Sequence, residues 1–240
     1  MATPLTAAQF LAALKAEGVK VVERTGWKTH NRNSKGAWGP VNGVMMHHTG
    51  PYTTESGMVA LCWNGRSDLP GPLCHGVIAR DGQVHLVGYG RANHAGLGDD
   101  DVLDAVIAES KLPVDNEANT DGNARFYGFE VVNRGDGQDW PAAQVEAMVR
   151  VGAAICRAHG WHAPSVIGHK EWQPGKPDPT GIDMAEFRAR VAERLKHLAS
   201  WSPQAPTKPP VTKPPALTLE QRIAALEKAV KQLQEAGRGG

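Results

Sequence analysis

The chain has 240 residues, which is enough for one well-buried domain and an accessory segment. Its formal net charge of +1 and the lack of a basic run argue against nucleic acid as a partner. Three cysteines are an odd number in a chain too large to need disulfide staples, which indicates folding in a reducing compartment. The N-terminus does not resemble a signal peptide, and no apolar run approaches the roughly 20 residues that span a bilayer. We therefore expect synthesis in the cytoplasm and no membrane insertion.

The first half of the chain begins with a predicted helix and continues with short strands. Thr6 and Gln9 form a capping-box pattern, and the apolar residues after them predict a helix that ends at Glu17, before Gly18. A hairpin is predicted at Arg80–Gln83, where a turn sequence separates two apolar runs. The apolar runs that predict strands lie at 19–22, 44–46, 77–79, 84–87, 126–132 and 165–167.

Two longer helices are predicted in the second half, at 141–159, which Gly160 ends, and at 183–198, which Asp183 opens. Strands that alternate with helices predict an α/β fold with a mixed central β-sheet flanked by helices. The stretch from Gly96 to Arg125 is rich in Asp, Asn and Gly, and we expect it to shape a substrate groove.

The composition changes abruptly after residue 200. Residues 1–200 are predicted to form the catalytic domain, with an N-terminal helix inside 1–18, and the proline-rich residues 201–216 are predicted to form an extended linker. Residues 217–236 carry apolar residues at heptad spacing, with β-branched Ile223 and Val230 at the a positions. This pattern favours a parallel coiled-coil homodimer, and the alternative is a single amphipathic helix, frayed or docked on the domain.

Three residues from two distant segments form a candidate zinc site. Catalytic zinc usually has three protein ligands and one open position, and two imidazoles with one carboxylate are an established set. His47 ends the apolar run 44–46, so it is placed at the end of a buried strand. His169 and Asp178 come from a segment that proline and glycine make into a rigid loop. The sequence therefore predicts zinc bound by His47, His169 and Asp178.

His48 is the competing candidate for the first ligand. Adjacent side chains on a strand point to opposite faces of the sheet, so only one of His47 and His48 can enter a given site. We favour His47.

Several ordered motifs resemble those of the zinc-dependent N-acetylmuramoyl-L-alanine amidases, over about residues 20 to 195. This family includes phage lysozyme-type amidases, bacterial anhydro-muropeptide amidases and peptidoglycan recognition proteins, and the chain is most similar to endolysins of actinobacterial phages. The motifs that carry the resemblance are Met45–Thr49, Cys74–Gly82, Asn93–Gly96, Gly128–Glu130 and Gly168–Pro179.

The resemblance implies a role for each matching residue. His47, His169 and Asp178 match the zinc ligands, Glu130 matches a general base, and Lys176 matches a lysine that stabilises the oxyanion. Burial of Glu130 in an apolar strand would raise its pKa toward a value useful for proton transfer. By the same resemblance, the candidates for substrate binding are His75, Asn93 and His94.

Two positions depart from the family pattern. Cys74 occupies the place of a tyrosine. The loop before Asp178 is one residue shorter, so that Lys176 could instead match an arginine.

The implied reaction is hydrolysis of the amide bond between N-acetylmuramic acid and L-alanine in bacterial peptidoglycan. The expected role is that of a phage endolysin, made in the host cytoplasm, which reaches the wall after a separate protein permeabilises the membrane and then lyses the cell. The alternatives are a non-catalytic peptidoglycan-binding module and a bacterial autolysin or muropeptide-recycling amidase. A binding module tends to lose a zinc ligand, and here all three candidates are present.

Overall fold

The structure is a computed structural model that describes residues 2–202. A six-stranded sheet has the order β1-β4-β3-β7-β2-β8, and a two-stranded ribbon pairs β5 with β6. The strands are β1 (Lys20–Glu23), β2 (Gly43–His48), β3 (Gly76–Ile78), β4 (Gln83–Leu86), β5 (Leu97–Gly98), β6 (Thr120–Asp121), β7 (Phe126–Val131) and β8 (Val166–Gly168). The helices are α1 (Ala7–Ala16), α2 (Glu55–Asn64), α3 (Asp100–Ile107), α4 (Ala142–His159) and α5 (Met184–Leu195).

The large sheet is mixed, as the sequence predicts. Strands β3 and β4 pair antiparallel through the turn at Arg80–Gln83, whereas the other neighbours are parallel. Parallel neighbours need a crossover connection, and the helices supply part of these connections. Strand β2 lies between β7 and β8; its pairing with β8 ends at Met46, whereas its pairing with β7 continues through His48.

Residue alternation along the strands divides the core into two layers. In β2, Val44 and Met46 join the main core with α1, α4 and α5, while Met45 packs on the opposite face with Ile167 and α3. In β7, Tyr127 likewise belongs to the main core. Because the side-chain period of a strand is two, His47 in β2 and Glu130 in β7 must share the face of Met45. They are also register partners across the two strands.

Within residues 2–202, the predicted helices and strands are present with small changes at their ends. Thr6 caps α1, where its Oγ1 accepts the N–H of Gln9 at 3.2 Å and its own N–H donates to Gln9 Oε1 at 2.8 Å. Helix α4 ends at Gly160, whose φ of 71° is favourable for glycine. Helix α5 begins after Asp183, which accepts two backbone N–H groups, and it ends at Leu195 rather than at residue 198.

Two regions differ from the sequence expectation. Helix α2 was not predicted, and the stretch 96–125 contains α3 and the β5–β6 ribbon. Helix α3 begins at its cap Asp99 and packs Val102, Leu103 and Val106 against the sheet. This stretch therefore forms part of the core, and it contributes no residue to the lining of the cleft described below within the part of the chain that the structure covers.

The three cysteines, Cys62, Cys74 and Cys156, are buried free thiols. None of the helices between residues 2 and 202 is both long enough and apolar enough to cross a bilayer. The predicted linker at 201–216 falls almost entirely beyond residue 202, and the predicted helix at 217–236 falls wholly beyond it, so both predictions lie outside the described residues.

Candidate metal centre

His47, His169 and Asp178 meet at the carboxyl ends of β2 and β8. His47 Nδ1 lies 3.0 Å from His169 Nδ1 and 3.0 Å from Asp178 Oδ2, and His169 Nδ1 lies 3.1 Å from the same oxygen. The three residues are only 1%, 5% and 9% exposed. Three donor atoms therefore form a nearly equilateral triangle that the protein has largely removed from water.

The charges in this triangle favour ionised Asp178 and neutral His47. Burial alone would raise the pKa of Asp178, but its close contacts with the imidazoles of His169 and His47 hold the pKa of this carboxyl well below its usual range. Burial lowers the pKa of His47 to about 4, against the opposing effect of Asp178. At neutral pH the site therefore offers one negative charge and an imidazole lone pair, which are the forms that bind a metal ion.

The donor set fits zinc. For a tetrahedral ion with bonds of about 2.0 to 2.1 Å, the ligand atoms would lie about 3.3 Å apart. The observed separations of 3.0 to 3.1 Å need only a small expansion. Two nitrogens and one oxygen on a single triangle also leave the fourth position of a tetrahedron open for chemistry.

His48 lies outside this triangle, as the alternation along β2 requires. Its Nδ1 accepts the backbone N–H of Thr180 at 3.0 Å, so its ring supports the loop that follows Asp178. Among the candidate pair, the structure brings His47 and not His48 into the ligand cluster.

Glu130 lies beside the triangle in the same open cleft, which has a volume of about 290 Å³. It is half-buried, and its Oε2 is buried without a hydrogen-bond partner in the described part of the chain. Burial raises the pKa of Glu130 to about 8, Asp178 adds to this effect and Lys176 opposes it. An unpaired buried carboxylate oxygen is costly, and such groups are common where function requires them.

Lys176 also lines the cleft, from the loop that carries Asp178. Its side chain is exposed, and its backbone N–H donates to Gln173 O at 3.1 Å in a turn. Gly175 has a φ of 82°, a conformation that other residues rarely adopt, so the loop depends on this glycine to position its neighbour. Lys176 and Glu130 therefore border the same cleft.

The three predicted substrate-binding residues have different environments. Asn93 does line the cleft, where its Nδ2 donates to Pro70 O at 2.7 Å. His75 lies in the core and is not among the residues that line this cleft. Its Nδ1 accepts the N–H of Gly128 at 2.9 Å and its Nε2 donates to Gly90 O at 2.8 Å, so both ring nitrogens are used by the backbone.

His94 reaches the wall of the cleft, but it is only 9% exposed and lies against the first zinc-ligand candidate. His94 Nδ1 is 3.1 Å from His47 Nε2, and His94 Nε2 is 3.2 Å from Phe126 O. Both polar atoms of the ring are thus engaged by the protein, and neither is available to a substrate.

One wall of the cleft was missed by the sequence analysis. It consists of the inner side of α2 and the loop that follows, with Met58, Leu61, Cys62, Arg66, Leu69 and Leu73. A signal was present in the sequence. Thr54 caps α2 by accepting the N–H of Gly57 at 3.0 Å, and a continuous apolar run at 58–63 follows before Gly65.

A family model described as N-acetylmuramoyl-L-alanine amidase matches residues 37–181. This range covers more than half of the chain and contains every candidate site residue. The class indicated by the fold and the family match is thus that of a peptidoglycan amidase. The chain belongs to the N-acetylmuramoyl-L-alanine amidase family, as the motif resemblance implied.

Three solved structures are similar to this chain at low sequence identity. PlyL is 14% identical, with a TM-score of 0.50 over 72% of this chain and 96% of that one. The N-acetylmuramoyl-L-alanine amidase LysC from Clostridium intestinale URNW is 16% identical, with a TM-score of 0.49 over 72% of this chain and 97% of that one. The catalytic domain of XlyA is 17% identical, with a TM-score of 0.48 over 72% of this chain and 99% of that one. The comparison with curated proteins gave no match.

Proposed function

We propose that this protein hydrolyses the amide bond between N-acetylmuramic acid and L-alanine in peptidoglycan, with zinc as its cofactor, as a phage endolysin that lyses the host cell. The observation that carries the proposal is the convergence of His47, His169 and Asp178 within 3.1 Å of one another, in a cleft that Glu130 also lines. We assign catalysis to residues 1–200, in keeping with the compact unit at Met1–Trp201.

His47, His169 and Asp178 would hold the zinc. When bound in such a site, zinc supplies a Lewis acid for the amide carbonyl and lowers the pKa of water to about 7. The three residues contribute one negative charge in total, so the site would keep a net positive charge for the carbonyl oxygen when a divalent zinc ion is bound. Their fixed positions at two strand ends keep the reacting groups oriented without rearrangement.

Glu130 is the proposed acid–base group. Its raised pKa of about 8 gives its carboxylate enough basicity to take a proton from the attacking water. The protonated carboxyl can then return that proton to the leaving nitrogen of L-alanine. The free Oε2 atom supports this role, because a carboxylate already saturated with hydrogen bonds would be a weaker base.

Lys176 is the proposed source of positive charge for the oxyanion. Negative charge develops on the substrate oxygen as water attacks, and a nearby amine stabilises it. The exposure of Lys176 in its loop leaves the amine free to approach a bound substrate. Its influence on the pKa values of both Glu130 and His47 is consistent with a position close to the reacting atoms.

The open cleft suits a polymeric substrate, since a chain can pass through it rather than enter an enclosed pocket. The cleft is lined by apolar Leu61, Leu69 and Leu73 as well as by the polar metal-ligand candidates. A peptide stem attached to a sugar presents both surface types. This arrangement supports peptidoglycan as the partner, and catalysis rather than binding alone.

The central test is product analysis on defined peptidoglycan with the full-length protein, with and without a chelator. Free stem peptides beginning with L-alanine and intact muramic acid are expected, with loss of activity on chelation and recovery with zinc. New reducing sugar ends or cut cross-bridges would contradict the assignment. Faster cleavage of intact wall than of soluble muropeptides is expected for a lysin, and the reverse preference would favour a recycling enzyme.

A further inference from the structure

We propose that His94 is a positioning residue that selects Nδ1 of His47 as the metal-binding nitrogen. This inference rests on the zinc site proposed above and concerns how the protein prepares that site. The carrying observation is a continuous chain of hydrogen bonds from Phe126 O through His94 to His47.

The proton on His94 is fixed by the backbone. A carbonyl oxygen only accepts hydrogen bonds, so His94 Nε2, 3.2 Å from Phe126 O, must carry a proton. The ring faces two other imidazoles, with centroids 5.3 Å from His47 and 5.7 Å from His75, and no carboxylate of residues 2–202 contacts it. A second proton would create a buried, unpaired positive charge. His94 Nδ1 is therefore a hydrogen-bond acceptor.

The consequence passes directly to His47. Since His94 Nδ1 accepts, His47 Nε2 must donate across the 3.1 Å between them. The neutral ring has only one N–H, so its Nδ1 bears a lone pair. That lone pair is directed at Asp178 Oδ2 and His169 Nδ1, both 3.0 Å away.

His169 has an equivalent arrangement. Its Nε2 lies 3.2 Å from Gln173 Oε1, an acceptor, so in the neutral ring the lone pair is on Nδ1 as well. Three acceptor atoms then face one another with no proton between them, and a cation relieves their mutual repulsion. Partners of this kind fix the ring orientation and tautomer of metal-binding histidines in general.

The fold provides a specific place for the His94 ring. A Cβ atom on Gly128, in β7, would lie 2.3 Å from His94 Nδ1, so the ring occupies the space that a side chain would fill. Asn123 Oδ1 accepts the N–H groups of His94 and Ala95 at 2.8 and 2.9 Å and fixes the loop backbone. The ring is thus held against β7 by packing and by hydrogen bonds on both nitrogens.

Two nearly isosteric substitutions isolate the hydrogen bond. His94→Asn places an amide oxygen near the position of Nδ1, whereas His94→Leu has almost the same shape without an acceptor. Zinc affinity of the full chain is measured by competition with a chromophoric chelator, and folding is checked by thermal unfolding. We expect His94→Leu to weaken zinc binding about 10- to 100-fold. We expect His94→Asn to stay within a few-fold of the wild type.

A second pair tests the packing from the strand side. Gly128→Ala should displace the His94 ring and weaken zinc binding, although residue 128 touches no ligand. Gly152→Ala is the matched control, because its added Cβ would meet Val166 at an ordinary 3.4 Å. Normal zinc affinity is expected in that control.

The proton can also be located directly by NMR of zinc-loaded wild-type protein. We expect a downfield proton bonded to His47 Nε2, with coupling across the hydrogen bond to His94 Nδ1. A proton bonded to His94 Nδ1 instead, or equal zinc affinities for the leucine and asparagine variants, would overturn the role of His94 alone. A wild-type protein that fails to bind zinc would overturn the proposed metal site together with this inference.

Discussion

Two clusters of buried polar side chains lie on opposite sides of the sheet, and they are built on different principles. In the helical layer, Glu17 accepts from Arg194 at 2.7 Å and from Arg157 at 3.1 Å, so each carboxylate oxygen has a cationic partner. At the strand ends, His47, His169 and Asp178 present three acceptor atoms to one another. The first cluster is complete as it stands, whereas the second has the donor set of a cation site.

This difference distinguishes buried polar groups that stabilise the fold from those that are available for binding or catalysis. Arg194 also donates to the backbone oxygens of Glu17 and Trp201, so the helical cluster ties α1, α4 and α5 together near the end of the domain. Glu130 has a buried oxygen with no partner in the described residues and lies in an open cleft. Proteins retain such unsatisfied groups where binding or catalysis later satisfies them.

Removing one ligand should produce the largest effect. Asp178→Ala deletes the only negative charge of the triangle, and we expect zinc affinity to fall by more than about 100-fold, since even changes in supporting partners cost 10- to 100-fold. Amidase activity should fall with it. Zinc content after dialysis, measured by atomic emission, checks the prediction, and an unchanged zinc content would contradict it.

Replacing the proposed base should affect turnover without affecting the metal. Glu130→Gln keeps the size of the side chain and removes its basicity, so kcat should fall by about 10²- to 10⁴-fold. Zinc content should remain normal, because Glu130 lies outside the ligand triangle. Glu186→Gln, an exposed change on α5, is the matched control and should leave kcat unchanged.

In the helical cluster, the same kind of deletion should affect stability only. Arg194→Met removes the main partner of Glu17, and the free energy of unfolding should fall by about 3 to 5 kcal/mol, as when one member of a buried ion pair is lost. Zinc affinity of the folded protein should not change. Both quantities can be measured on the same variant, by urea denaturation and chelator competition.

The double variant Glu17→Gln with Arg194→Met sharpens the comparison. It leaves no uncompensated carboxylate, so part of the lost stability should return. A double variant less stable than the single one would show that the cluster acts through packing rather than charge.

Local patterns predicted much of the fold because apolar runs and caps are local properties. The run at 44–46 and the capping residues Thr6 and Asp183 each specify their own element. Strand order is different, since the position of β2 between β7 and β8 depends on crossovers that no short segment encodes. Helix α2 was missed although its cap and glycine stop were both present.

The site was predictable where the motif itself carries the chemistry, as with His47, His169 and Asp178. It was not predictable for the two histidines beside them. His75 forms hydrogen bonds with the backbone of Gly90 and Gly128, while His94 reaches His47. These contacts depend on which strands become neighbours and on the absence of a side chain at Gly128.

Lys176 should matter to the reaction and not to the metal. We expect Lys176→Ala to bind zinc normally and to lose about 100-fold in kcat, the effect of one oxyanion donor. Since Lys176 lowers the pKa of Glu130, the rising limb of the pH–rate profile should also move to higher pH. Lys196→Ala, which removes an exposed amine paired with Glu193, is the control. Unchanged hydrolysis by the Lys176 variant would remove this residue from the mechanism.

His75 offers the mildest test, because it is a buried histidine whose hydrogen bonds are complete. Burial lowers its pKa from about 6.5 to about 4, so the unfolded chain takes up this proton first as the pH falls. The contribution of His75 to stability is therefore full above pH 6.5 and is lost progressively toward pH 4, by at most about 3 kcal/mol.

Urea denaturation across this pH range, with chelator present so that metal loss does not contribute, measures the effect. His75→Gln should be less stable than the wild type at pH 7, because it disturbs the two hydrogen bonds of the ring. Since glutamine does not titrate, the difference in stability should shrink as the pH falls. Parallel curves for the two proteins would contradict this prediction. The stability contributed by His75 would then be independent of pH, as expected for the Glu17–Arg194 cluster. The difference between the structural cluster and the candidate site would in that case rest on the metal-ligand candidates alone.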